Sequence, residues 1–207
     1  MERKKTTLLY QGGFLSLKRA FIILAVLMLA GSLFALAFLD DIKLGDKTIK
    51  DIDLVGMTDG APADAAIFKE NTLTVVNVWA TFCSPCIREM PEFGEVSREY
   101  AEKGVQFIGV CGDIPIDAAD VPDESLMQDA YKIIEMTKAD YPHYLPTTAY
   151  RPALGTLISS SYPGTFLVDA DGNIRKLFVG SISKDVLVSA IESELAVLKG
   201  SETEAQS

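Results

Sequence analysis

The run Leu73-Thr74-Val75-Val76-Asn77-Val78-Trp79-Ala80 is β-branched and almost continuously apolar, and it gives way to Cys83-Ser84-Pro85-Cys86. A run of that kind suits a central strand covered on both faces. From Cys83 onward the apolar spacing becomes helical: Cys86, Met90, Phe93, Val96 and Tyr100 share one face, and Gly104 suits a C-terminal cap. Pro91 falls inside that helix and predicts a kink. The two cysteines therefore stand where a buried strand hands over to a helix, which requires a sheet layered against helices.

Two thiols separated by two residues close into a small disulfide ring and reopen. At a helix start the first sulfur lies among unpaired backbone N–H groups and the positive end of the helix dipole, which favour its thiolate. The thiolate is the species that attacks a disulfide. Cys83 is thus the candidate nucleophile and Cys86 its resolving partner. Ser84 and Pro85 tune the pair, and Pro85 suits the first helical turn, where its missing N–H costs no internal bond. Two plainer readings stand beside this one. A purely structural disulfide here would close too small a loop to restrict the unfolded chain much. A Cys3His zinc site from Cys83, Cys86, Cys111 and His143 lacks ligand spacing, so no metal is expected. Cys111 reads as a small buried hydrophobe and His143 as a loop histidine without catalytic duty.

The N-terminus carries an address. Residues 1–19 hold five basic side chains and one acidic, and Ala20 to Leu39 follow without a charge until Asp40 and Asp41. Twenty residues at about 1.5 Å each match a hydrocarbon core of about 30 Å. The flanking charges predict that 1–19 is a cytoplasmic basic segment, 20–39 a membrane anchor, and the rest extracytoplasmic. A cleaved signal peptide is the alternative, because Ala35-Leu36-Ala37 resembles a small-x-small cleavage site. Residues 40–50 read as a tether, 51–200 as the folded domain and 201–207 as a polar, disordered tail. Residues 40–207 carry fourteen basic and twenty-eight acidic side chains. That excess repels phosphate backbones and argues against nucleic-acid binding.

The rest of the domain reads as alternating elements. Thr58-Asp59-Gly60 marks a turn, and Ala65 to Glu70 suit a short helical turn. Val105 to Cys111 is a second buried strand, Ile114 to Pro122 an acidic loop, and Ser125 to Lys138 an amphipathic helix. Residues 139–161, with Pro142, Pro146, Pro152 and Gly155, read as irregular. Thr165 to Asp169 and Ile174 to Val179 form a hairpin about Asp171-Gly172. Ser183 caps a last helix through Leu187, Ile191, Leu195 and Leu198, with Gly200 as its expected end. Helices between the early strands imply parallel pairing with right-handed crossovers, and the hairpin adds antiparallel strands. The fold class is α/β, a mixed sheet with helices on both faces.

Together with Trp79-Ala80-Thr81-Phe82-Cys83-Ser84-Pro85-Cys86 at the first strand–helix junction, this order resembles the thioredoxin fold. It is most similar to the membrane-anchored thiol–disulfide oxidoreductases of the TlpA and ResA type, over roughly residues 45–200. Pro91 lies five residues past the second cysteine, where thioredoxins kink their active-site helix. Pro163, before Thr165-Phe166-Leu167-Val168-Asp169, matches the family's cis-proline, which implies that it presents the backbone of Tyr162 to substrate. Tyr141-Pro142 resembles the segment leading there. Asn77 stands where thioredoxin has a buried aspartate. The ResA-like branch shares the asparagine and has a glutamate three residues past the second cysteine, here Glu89, as proton acceptor and donor for Cys86. Trp79 is divided between packing and substrate contact. Phe82, before the first cysteine, and Gly164, after Pro163, depart from the common tryptophan and threonine.

The resemblance implies an enzyme that reduces disulfides in exported proteins, fed by a membrane thiol carrier, with apocytochrome c maturation the family's best-known setting. Its cofactor is the redox-active disulfide alone. The alternative is a redox-inactive or sensory anchored module that binds a partner through the same groove.

Overall fold

The computed structural model describes residues 48–116, 122–158 and 160–205. The expected basic segment, the anchor over 20–39 and the tether as far as residue 47 lie outside the described residues. The chain divides into two units, Met1–Lys43 and Leu44–Ser207, and every described residue belongs to the second. No helix among the described residues is long and apolar enough to cross a membrane.

The strands are β1 (Leu54–Gly56), β2 (Pro62–Ala63), β3 (Leu73–Trp79), β4 (Val105–Cys111), β5 (His143–Pro146), β6 (Gly164–Asp169) and β7 (Ile174–Val179). The helices are α1 (Ser84–Tyr100), α2 (Glu124–Thr137), α3 (Arg151–Leu157) and α4 (Lys184–Ala205). One sheet runs in the order β2-β1-β5-β4-β3-β6-β7. The centre, β3 with β4 and β4 with β5, is parallel, and both flanks are antiparallel. This is the thioredoxin-like mixed sheet expected.

Side-chain alternation along β3 explains the layering. Leu73, Val75 and Trp79 enter one apolar cluster with Met90, Phe93, Ala130, Leu187 and Ile191 from α1, α2 and α4. Val76 and Val78 enter the opposite cluster with Ile52, Phe68, Leu154 and Ile158. Period-two alternation sends neighbours to opposite faces, and covering both faces removes every apolar side chain of the strand from water. Burial of a side chain such as Phe93 is worth about 1.5–3 kcal/mol.

Three expectations are corrected. Residues 139–161 are not irregular: they contain β5, the third parallel strand, and α3. β5 is four residues long and closes with Pro146, too short for a periodic signal and marked by a residue that ordinarily demotes a strand. α3 carries Pro152 in its first turn, a start signal rather than a breaker. Finally, α4 continues past Gly200 to Ala205 instead of stopping, so residues 201–205 belong to the helix and not to a disordered tail. Gly200 is not among the glycines with positive φ, so it makes no left-handed cap there.

Candidate functional site

Cys83 caps α1 from an extended conformation, and Cys86 lies in the first turn. Their sulfurs are bonded at 2.03 Å, with Cα atoms 5.3 Å apart. The Cys86 N–H donates to Cys83 Sγ at 3.2 Å, so the first sulfur accepts a helix N-terminal donor. Cys83 is 5 % exposed and Cys86 is fully buried. The preceding loop is tied down from beneath. Thr81 donates its backbone N–H to Asp113 Oδ2 at 3.0 Å and its hydroxyl to the same oxygen at 2.6 Å. Asp113 follows the carboxyl end of β4, so the strand pair that builds the core also fixes the cysteine loop.

Above the pair, Phe82, Cys83, Ser84, Pro85, Ser160 and Tyr162 line a cleft of ≈ 410 Å³. The Tyr162–Pro163 peptide bond is cis. Tyr162 meets Phe82 edge-on, ring centres 6.0 Å apart, and Phe82 is 72 % exposed. The departure at Gly164 has a steric reason: a Cβ there would stand 2.3 Å from Ile158 Cγ2.

Glu89 lies one turn beyond Cys86, buried on the side of α1 that faces the sheet. It is not a solvated partner of Arg88 or Lys103. Asn77 donates to Glu89 Oε1 at 3.4 Å, and the Ile182 N–H donates to Oε2 at 3.2 Å. Tyr141 in turn donates its hydroxyl to Asn77 Oδ1 at 3.4 Å. Burial outweighs these donors and raises the Glu89 carboxyl to a pKa of about 7. A carboxyl poised there takes or gives a proton at neutral pH.

The Redoxin family's model matches residues 43–195. The chain belongs to the Redoxin family. It is 27 % identical over 118 residues to thiol-disulfide oxidoreductase ResA of Geobacillus thermodenitrificans, covering 57 % of this chain and 60 % of that protein. It is 28 % identical over 112 residues to ResA of Bacillus cereus, covering 54 % and 57 %. The chain thus spans less than two thirds of the length of these relatives. A thiol:disulfide interchange protein of the thioredoxin family from Chlorobium tepidum superposes with a TM-score of 0.55 at 23 % identity, over 72 % of this chain and 97 % of that one. The thioredoxin domain of a thiol-disulfide oxidoreductase from Bacteroides vulgatus gives 0.52 at 22 % identity, over 70 % and 92 %. Both share the fold.

Within this Redoxin core, the structure gathers Cys83, Cys86, Ser84, Pro85, Tyr162 and Pro163, with Glu89 buried one turn further along α1. It does not bring Trp79 to the cleft. Trp79 is fully buried and donates its indole N–H to His143 Nδ1 at 3.2 Å, so it packs in the core. His143 is correspondingly no loop residue. It opens β5, stacks on Tyr141 at 4.7 Å and donates Nε2–H to the Ala139 carbonyl at 2.9 Å. With Nδ1 accepting and Nε2 donating, the ring is held neutral, and burial lowers its pKa to about 4. Cys111 is buried, donates to Asp113 Oδ1 at 3.2 Å, and is pushed far above the ordinary thiol range by burial. It is buried, as its sequence context suggested. No group of three or more His, Cys, Asp or Glu placed to hold a metal occurs among the described residues.

Sequence reasoning missed Asp113, the bond from the Tyr141 hydroxyl to Asn77, and the Ile182 N–H. Asp113 had a signal, since the carboxyl ends of parallel strands are where α/β sheets build their sites. The Ile182 contact is a backbone group reached across a long sequence gap and leaves no trace in residue types.

Proposed function

We propose that this chain is a thiol–disulfide oxidoreductase, anchored by residues 20–39, that reduces disulfides of exported proteins on the extracytoplasmic side of the membrane. The observation carrying the reading is Cys83 at the N-cap of α1, its sulfur accepting the Cys86 N–H beneath an open cleft beside cis Pro163. The names of the ResA relatives and the charge pattern around residues 20–39 support it. In the reduced protein the Cys83 thiolate attacks one sulfur of a substrate disulfide, forming a mixed disulfide and expelling the other substrate sulfur as thiolate. Glu89 accepts the Cys86 proton. Cys86 then attacks Cys83 Sγ, closing the Cys83–Cys86 bond and releasing the second substrate thiolate, and the two expelled thiolates take up protons. Two electrons pass to the substrate, and a membrane thiol carrier resupplies them. Trp79 has no part in substrate contact. By resemblance, apocytochrome c is a fitting substrate.

Two measurements test this. The reduced full chain should reduce insulin, and Cys86→Ser should accumulate a mixed disulfide through Cys83. An inert pair in both would favour a partner-binding module instead.

A further inference from the structure

The cleft above Cys83 does not end at Tyr162. On the far side of that ring lies a second cleft of ≈ 460 Å³, lined by Pro115, Thr148, Arg151, Pro152, Ile158 and Tyr162 among others, with Ser160 and Tyr162 common to both. The two clefts adjoin at Ser160 and Tyr162, one beside Cys83 and the other beside α3. Arg151 is the basic side chain in the second. Its Nε–H donates to the Gly112 carbonyl at 3.2 Å, which fixes the base of the guanidinium, and among the described residues its two terminal amino groups make no hydrogen bond. Among the described residues no carboxylate pairs with Arg151 within salt-bridge distance. The nearby Asp113 is occupied by Thr81 and Cys111. By contrast, Lys132, which lines the cleft on the other side of Phe82, is neutralised by Asp129 at 3.3 Å. The positive charge offered to a bound chain thus lies on the Tyr162 side, in a domain otherwise strongly acidic.

We propose that the substrate polypeptide passes from Cys83 over Tyr162 into the α3 cleft, and that Arg151 there receives an acidic side chain flanking the attacked cysteine. Arg151 is then a specificity residue: its fork accepts a carboxylate in paired, charge-assisted hydrogen bonds, while a lysine at the same place meets like charge. The idea deepens the redox reading and rests on it.

The test uses the full chain in reduced form and two short peptides. They are identical except for Glu or Lys beside a cysteine carried as a mixed disulfide with 2-mercaptoethanol. The kcat/KM ratio of the Glu peptide to the Lys peptide should be about tenfold in the native protein. It should fall to about one in Arg151→Gln, which keeps a donor for the Gly112 carbonyl, and survive in part in Arg151→Lys. A native ratio near one, or a ratio unchanged in Arg151→Gln, overturns the proposal. Arg151-dependent reduction of glutathione disulfide with no discrimination between the peptides also overturns it, in favour of a small carboxylate-bearing disulfide. Affinities for the same peptides with serine in place of cysteine separate the two layers. If the native chain reduces neither disulfide but binds the Glu peptide through Arg151, the chemistry fails and the subsite stands. If binding is indifferent to Arg151, the subsite fails by itself.

Discussion

At the scale of single residues, Glu89 joins the local chemistry to the fold. Its carboxyl is buried against Asn77 and the Ile182 N–H, and burial lifts its pKa to about 7. Asparagine at position 77 cannot titrate, and the proposed carrier of the buried thiol's proton is the glutamate. Glu89→Gln keeps a similar shape and removes the acceptor. The rate of mixed-disulfide resolution, followed by rapid quench and mass spectrometry, should fall about 100-fold at pH 7, within the usual range for a lost acid–base group. In the native protein that rate should climb through pH 7 as Glu89 ionises, and the step should vanish in the variant. An unchanged profile would exclude Glu89 from proton transfer.

Among the elements, α1 and the end of α2 approach closely at Gly94. A Cβ at Gly94 would stand 2.3 Å from the Lys138 carbonyl oxygen, in the left-handed cap of α2, where backbone cannot yield as a side-chain tip does. Gly94→Ala should therefore cost about 1–3 kcal/mol in urea unfolding. Gly200→Ala is the counterpart: nothing lies within 4 Å of that Cβ and the residue is helical, so the substitution should stabilise by up to about 1 kcal/mol. Equal effects of the two changes would contradict this packing. The same contrast shows what sequence conveys about elements. β3, β4, α1, α2 and the β6–β7 hairpin were legible because each carries enough residues for a period to appear. β5 and α3 were not. Four residues ended by a proline, and seven residues with proline in the first turn, owe their form to neighbours: β5 is held between β4 and β1, and α3 by Leu154 and Ile158 in the lower core.

For the molecule as a whole, two buried titratable groups act in opposition. Glu89 holds its proton more tightly when folded, at about 7 against an ordinary 4.5, so its stabilisation is complete below about pH 4.5 and is lost as pH rises to about 7. His143 behaves in the converse way. Its folded pKa of about 4 lies below the ordinary 6.5, so its stabilisation is complete above about pH 6.5 and is lost as pH falls toward 4. Each amounts to something on the order of 3 kcal/mol, and between about pH 4.5 and 6.5 they offset one another. Urea unfolding of the disulfide form should give a nearly flat profile there for the native chain. Glu89→Gln should lose stability as pH drops, because the histidine then acts unopposed; a variant that tracks the native profile would refute the pairing. The cysteine pair, the cis-proline and Glu89 were all readable in the sequence because their spacing is local or carried by resemblance. The pairing of Trp79 with His143 was not, since it joins two strands at residues 64 apart in sequence. We propose that a helix start makes Cys83 the nucleophile. This is tested most directly by alkylating the reduced protein with iodoacetamide across pH and locating the label by mass spectrometry. The expected result is labelling of Cys83 first, with a midpoint well below the ordinary thiol value of about 8.5. A midpoint at or above that value, or first labelling at Cys86, would contradict the account.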